Sequence, residues 1–269
     1  MKYENIIDLH THSDVSFDGE DSCLALCERA IAHGGIGIAI TDHCDIDDPK
    51  LDVDSLVARQ LDGFVDAKLG VKGKIAVLGG IELGQAIYRK EESEKLLDNF
   101  NYDVVLGSIH NLENQPDFYF LNYNELDVDK LLQTYFEAEL ALAKWNYFDV
   151  LAHLTYPLRY IVGKYRKPVD LTKYSEVIDA ILETLVYNKK ALELNLSSLQ
   201  AHHHETMPPL SILQRFHDFG GKYVTVGTDA HQAEKVCLNI DKGYEMLQAC
   251  GYEHFTIFVH REPWLMPIR

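Results

Sequence analysis

The stretch NIIDLHTHSDVSFDGEDS, residues 5–22, opens with a short apolar run and then sets His10, His12, Asp14 and Asp18 within nine positions. Side chains at i and i+2 share one face of a strand, so His10 and His12 point the same way. Such a pair is either a metal-binding strand end or a chance His-x-His. What decides between them is whether the rest of the chain places similar residues at similar points.

The chain does so repeatedly. Strand patterns are read at residues 6–12, 37–42, 75–83, 102–109, 148–154, 191–196 and 223–228. Several are near-continuous apolar runs, such as IGIAI, IAVLGGI and DVVLGSI, as expected of parallel strands buried on both faces. Between them lie amphipathic segments that read as helices: SCLALCERAIAHG, DVDKLLQTYFEAELALAKW, SEVIDAILETLVYNKK and PLSILQRFHDFGG. A βα unit repeated seven times predicts a parallel α/β fold, either a closed barrel or an open doubly wound sheet. The segment HFTIFVHREPW adds a strand near the end. No Pro-rich linker or composition shift marks a boundary, so residues 1–269 are expected to form a single domain.

The strand runs stay apolar and most end in ionisable residues. His10 and His12 end the first, Asp42 and His43 the second. Glu82 lies on the third, His110 ends the fourth, His153 the fifth, and Asp229 with His231 the seventh. In parallel α/β folds, ligands bind at the carboxyl ends of the strands. Six of the 13 histidines at equivalent strand ends are hard to explain as scattered structural residues. His33, His217, His254 and His260 fall in helix, turn or tail contexts and are read as structural. Imidazole nitrogens with carboxylate oxygens suit zinc, manganese or iron. The number of donors exceeds what one ion needs and implies two to three divalent ions. Glu82 can bridge two ions with its two oxygens, which no imidazole can do. A multinuclear centre of this kind commonly activates water and clamps a phosphoryl oxygen.

Composition narrows the setting. The formal net charge is −17, a field that repels phosphate backbones and argues against nucleic-acid binding. No apolar run is long enough for a membrane helix, and no basic-then-apolar leader is read at the start. Cys23, Cys27, Cys44, Cys237 and Cys250 make an odd count that does not fit a disulfide scaffold, so a reduced, cytoplasmic protein is expected.

The elements DLHTH, ITDHCD, GIELG, VLGSIH, DVLAHL and VGTDAH, in that order, resemble the PHP (polymerase and histidinol phosphatase) superfamily over roughly residues 5–262. The stand-alone length and the GSxH and ELN elements are most similar to its histidinol-phosphate phosphatase branch. The resemblance implies a distorted (β/α)7 TIM-like barrel with a trinuclear centre at the C-terminal ends of the strands. Carried over motif by motif, His10, His12, Glu82 and Asp229 hold the first ion. Glu82 bridges to a second ion held by His110 and His153, and Asp18, His43 and His231 hold the third. Asp14 rivals Asp18, and Asp45 is a more distant competitor. The implied reaction is hydrolysis of a small phosphate monoester, L-histidinol phosphate in histidine biosynthesis, by a metal-bridging hydroxide. Glu82, Asp229 and His231 are then catalytic as well as ligating.

Arg159, in HLTYPLRY just after His153, is the expected phosphate clamp, because arginine can engage two phosphate oxygens at once. Relatives tend to carry a second arginine after the ELN strand. Here ELNLSSLQAHHHETMPP has none before Arg215, and Asn195, Ser197, Ser198, Gln200 or His202 are the substitutes. Ser108, at i−2 from His110, is expected to face the site. The alternatives are a PHP phosphoesterase acting on another small phosphate ester or on a phosphodiester, an amidohydrolase, whose bridging carboxylated lysine has no strand-end counterpart here, and a metal-binding sensor.

Overall fold

The computed structural model describes residues 2–199 and 204–269. Its elements in chain order are β1 (Ile7–Asp8), α1 (Cys23–Ala32), β2 (Gly37–Ile40), β3 (His43–Asp45), α2 (Val53–Val71), β4 (Ala76–Gly84), α3 (Lys90–Asn99), β5 (Val104–Ser108), α4 (Val128–Trp145), β6 (Val150–Leu151), α5 (Ser175–Asn188), β7 (Ala191–Asn195), α6 (Leu210–Asp218), β8 (Val224–Gly227), α7 (Ile240–Ala249), β9 (His254–Val259) and β10 (Glu262–Pro267).

Parallel pairing runs β1-β2-β4-β5-β6-β7-β8. β3 pairs β4 in the register that β2 began: Ile40 opposes Gly79 and His43 opposes Glu82. β2 and β3 are therefore two halves of one barrel position, parted at Thr41 and Asp42. The ring closes between β1 and β8, where Leu9 N–H donates to Val226 O (3.2 Å), Asp229 N–H to His10 O (2.8 Å) and His12 N–H to Ala230 O (2.8 Å). The result is a nearly closed, mostly parallel barrel, and the TIM-like expectation holds. β1 is regular over only two residues because Asp8 turns to clasp β8. Its carboxylate accepts from the Thr228 N–H (2.9 Å) and the Cys237 N–H (2.8 Å).

The strands are apolar on both faces because helices cover them outside and side chains fill them inside. All five residues of β5 are buried. The helix α4 shows why the outer layer forms. Asp127 caps it by accepting from Lys130 N (3.1 Å), Leu132, Tyr135, Phe136 and Leu142 recur at helical spacing on the buried face, and Asn146 ends it in a left-handed turn. α1 starts on a Ser22 cap and stops at Gly34, whose φ of 70° suits glycine. The expected last strand is two strands. β9 and β10 pair antiparallel as a hairpin outside the barrel sheet. The hairpin packs at the N-terminal ends of the strands, where Arg261 reaches Asp149 just before β6.

Candidate metal centre

All six strand-end histidines and Asp229 converge at the carboxyl end of the barrel, around Glu82. Its Oε1 lies 2.7 Å from His153 Nε2 and 3.1 Å from His110 Nε2. Its Oε2 lies 2.8 Å from His43 Nδ1, 3.4 Å from His10 Nε2 and 3.5 Å from His12 Nε2. Five imidazoles thus surround one fully buried carboxylate, divided between its two oxygens.

The atoms sort into three groups. His10 Nε2, His12 Nε2, Glu82 Oε2 and Asp229 Oδ1 form one, with Asp229 at 3.8 Å from His10 and 3.3 Å from His12. Glu82 Oε1 with His110 and His153 forms the second, the two imidazole nitrogens 3.4 Å apart. Asp18, His43 and His231 form the third: His43 Nε2 to His231 Nε2 is 3.3 Å, Asp18 to His231 is 3.3 Å and Asp18 to His43 is 3.7 Å. Ligands held tetrahedrally at zinc–nitrogen and zinc–oxygen bond lengths stand about 3.3 Å apart. The observed spacings lie around that figure. Four of the atoms, His10 Nε2, His12 Nε2, His43 Nδ1 and Glu82 Oε2, are buried without a hydrogen-bond partner among the described residues. Burying unpaired polar atoms is costly, and coordination of a cation removes the cost. The donor set therefore fits divalent metal ions. Asp14 stays on the exposed rim, so of the two rivals it is Asp18 that reaches His43 and His231.

Backbone conformation aims these side chains. His153 and Asp229 both adopt positive φ, 25° and 54°, which for residues other than glycine costs on the order of 1–3 kcal/mol each. The turn at Asp229 is held by the bond of its N–H to His10 O. At His153 the N–H donates to Glu193 Oε2 (2.8 Å).

Glu193 is a residue that strand-end reading passed over. Its Oε1 is 2.7 Å from His10 Nδ1, which leaves His10 Nε2 facing Glu82. Asp45 does the same for His110, at 3.0 Å from Nδ1. His231 Nδ1 is held by the Asp229 carbonyl at 2.9 Å. Each bond fixes the ring and its tautomer so that the other nitrogen points inward. Alternation along β7 gives the signal for Glu193, two residues before Asn195 on the same face. Gly227 makes room for this packing, since a Cβ there collides with the His10 Cβ and Glu193 Oε1. Asp42 plays a different part from its neighbour His43. It ties down the loop after β1 by accepting from Ser13 N (2.6 Å), Ser13 Oγ (2.9 Å) and Ser16 Oγ (2.8 Å).

The charges follow. Burial alone raises the Glu82 carboxyl, but His110, His10 and His43 outweigh it and hold it well below the usual range. Asp229 is likewise held low against burial, by His10, His12, His231 and Arg159. His12 is pushed well down by burial and by His43 and His231. For His10 and His110 the neighbouring carboxylates overcome burial and hold both well above the ordinary value.

Asp18, His43, His110, His153, Asp229 and His231 line an open trough of about 1150 Å³, with His10, His12 and Glu82 fully buried behind them. Arg159 lines it from the start of a π-helical turn, Arg159–Lys164, with Nη1 3.8 Å from Asp229 Oδ2. Ser108 and Asn195 do not line it. Ser108 is buried with its Oγ unpaired among the described residues, and Asn195 turns to Glu193 and Ser197. Ser197 Oγ in turn donates to Asp229 Oδ2 (3.1 Å). His202 and Gln200 lie outside the described residues.

Comparison with known proteins agrees with this geometry. A family model described as "PHP domain" matches residues 8–197. The histidinol-phosphatase of Lactococcus lactis is 28% identical over 258 residues, covering 94% of each chain. A relative from Clostridium acetobutylicum named "Probable histidinol-phosphatase" is 28% identical over 256 residues, covering 91% of this chain and 94% of its own. The crystal structure of the Lactococcus lactis histidinol phosphate phosphatase with zinc, L-histidinol and phosphate superposes with a TM-score of 0.83 at 25% identity, over 97% of this chain and 99% of the other. The chain belongs to the PHP domain family.

Proposed function

We propose that this protein is a metal-dependent phosphomonoesterase that hydrolyses L-histidinol phosphate to L-histidinol and phosphate. The observation that carries the reading is the split of donor atoms around Glu82, whose Oε1 meets His110 and His153 and whose Oε2 meets His10, His12 and His43, just behind an open trough. The Lactococcus lactis structure, with zinc and both reaction products, supplies the substrate.

His10, His12, Glu82 and Asp229 would hold one ion, Glu82, His110 and His153 a second, and Asp18, His43 and His231 a third. Bound there, divalent ions supply positive charge opposite the phosphoryl oxygens and bring the pKa of water toward neutrality. The chain's own part is positional. Glu193 and Asp45 lock the rings of His10 and His110. Arg159 stands beside Asp229 with its guanidinium toward the trough, placed to take phosphate oxygens. Asp229 and His231 line the trough beside Arg159, at the point where the phosphoryl group would meet the ligands. Neutral imidazoles and ionised carboxylates are the forms that bind metal, and the low Glu82 and Asp229 carboxyls meet that need.

The setting agrees with a biosynthetic enzyme of the cytoplasm acting on a small substrate rather than on nucleic acid. All five cysteines are free and buried. No helix among the described residues is long and apolar enough to cross a membrane. The net charge of −17 disfavours nucleic-acid backbones.

The test is purification, elemental analysis and phosphate release from L-histidinol phosphate beside sugar and nucleotide monophosphates. Two or more ions per chain and a clear preference for histidinol phosphate are expected. Fewer than two ions removes the multinuclear centre, and equal rates across the panel remove the substrate assignment.

A further inference from the structure

The loop between β1 and α1 carries a serine that touches two of the three ligand groups. Ser16 is 5% exposed and stands four residues after His12 and two before Asp18. A turn folds it back, closed by its N–H donating to Ser13 O at 3.0 Å. Its Oγ has three polar neighbours: Asp42 Oδ1 at 2.8 Å, the His43 N–H at 3.1 Å and His12 Nδ1 at 3.4 Å. A hydroxyl offers one proton and two lone pairs. The proton goes to the carboxylate of Asp42, and one lone pair takes the His43 N–H. The other is left for His12, so that ring carries its proton on Nδ1 and turns a bare Nε2 to Glu82 and Asp229.

The other rings show why this hydroxyl matters. His10 and His110 rest their outer nitrogens on the carboxylates of Glu193 and Asp45, and His231 rests its own on a backbone carbonyl. His12 meets a carboxylate only through Ser16, with the buried Asp42 behind it. His43 turns both ring nitrogens inward, Nδ1 to Glu82 and Nε2 to His231 and Asp18. Its ring has no nitrogen left for an outer partner, so its aim depends on the backbone that Ser16 holds. We propose that Ser16 is a positioning residue: one hydroxyl fixes both His12 and His43, and the first and third ion groups depend on it together. The second group, where His110 and His153 meet Glu82, does not. This rests on reading the centre as a multinuclear metal site, and it gives Ser16 no part in the chemical step.

The experiment dialyses chelator-stripped protein against buffered zinc and counts ions per chain as free zinc rises. It compares the intact chain with Ser16→Ala, Ser16→Thr and Ser13→Ala, each checked for folding by circular dichroism. Ser13→Ala is the control for the loop: Ser13 Oγ also donates to Asp42, at 2.9 Å, and accepts from Val15 N–H, but has no bond to an imidazole among the described residues. In Ser16→Ala part of the filling curve should move to about 10- to 100-fold higher free zinc, while the remaining ion fills where it does in the intact chain. Ser16→Thr keeps the hydroxyl and should restore the intact curve. Ser13→Ala should melt lower yet fill at the intact zinc level. Should Ser16→Ala not fold, Asp42→Asn removes the charge behind the hydroxyl and should shift the same part of the curve by a smaller factor. A shift of every ion or of none, or an equal shift in Ser13→Ala, overturns the inference and leaves Ser16 a loop anchor. Fewer than two ions on the intact chain removes the multinuclear reading and this inference with it. Two or more ions without a selective shift remove the inference alone.

Discussion

The two ends of the barrel treat buried carboxylates in opposite ways. At the N-terminal end Asp149 is fully paired: Arg261 Nε and Nη2 reach it at 2.9 to 3.2 Å, and Val105 N–H donates at 2.9 Å. At the C-terminal end Glu82 is ringed by five imidazoles, and several of the facing nitrogens have no hydrogen bond among the described residues. The first arrangement satisfies itself and closes the barrel floor with the β9–β10 hairpin. The second is complete only with cations between its atoms. Stability is built at one end and ligand binding at the other, as the division of labour in TIM-like barrels leads one to expect.

The comparison can be broken most sharply at Glu82. Glu82→Gln keeps the shape but cannot bridge two cations. Loss of several kcal/mol of charge stabilisation corresponds to a rate loss on the order of 10³-fold. Phosphate release and metal content per chain check this, with circular dichroism confirming a folded barrel; near-normal turnover would reverse the assignment of the bridge. At the other end, Arg261→Ala leaves Asp149 buried and uncompensated. About 2 kcal/mol of stability should be lost, less than for a fully enclosed pair because Arg261 is partly exposed. Its kcat should not change. A kinetic defect in Arg261→Ala, seen without a fall in denaturation midpoint, would mean that the floor is not merely structural.

Glu193→Gln sharpens the contrast within the active end. The amide still accepts from His153 N–H but cannot support His10 as a carboxylate does. Metal affinity should fall about 10- to 100-fold, read by competition with a chelating dye. Unchanged affinity would make Glu193 a packing residue only.

The smallest effect is one of pH. Burial lowers His43, but Glu82 and Asp45 outweigh it and raise it to about 9. A raised imidazole contributes stability that is present below the unfolded value of about 6.5 and is lost as pH climbs toward 9. Protein stripped by a chelator should therefore melt lower at pH 9 than at pH 6.5. Metal binding requires the neutral imidazole, so metal-loaded protein should gain over stripped protein across the same window. The two melting curves should diverge with pH. A constant gap between them would show that His43 does not change charge there.

Much of this site was legible one strand at a time. His10, His12, His43, Glu82, His110, His153, Asp229 and His231 each close or follow an apolar run, and period-two alternation gives the facing of the His10–His12 and Asp229–His231 pairs. The third strand needed no periodicity, because a run apolar on both faces stands out by itself. Other features were not local. β3 was missed because Thr41 and Asp42 interrupt a strand whose register only β4 reveals. Glu193 read as an ordinary polar residue and Asp45 as a distant rival ligand until His10 and His110 came within reach, 183 and 65 positions away. Asn195 and Ser108 have suitable chemistry at suitable places, yet one turns to Glu193 and the other stays behind the trough wall.

The amino-acid sequence alone determined the parallel barrel rhythm, the end of each strand at which ionisable groups collect, and the kind of ligand they suit. These depend on side-chain type and on the fixed periods of helix and strand. Which oxygen of Glu82 meets which imidazole, and which carboxylate orients a ring and which binds, were decided by closure of the barrel. Only the ring of strands brings residues far apart in the chain to within three or four ångströms of one another.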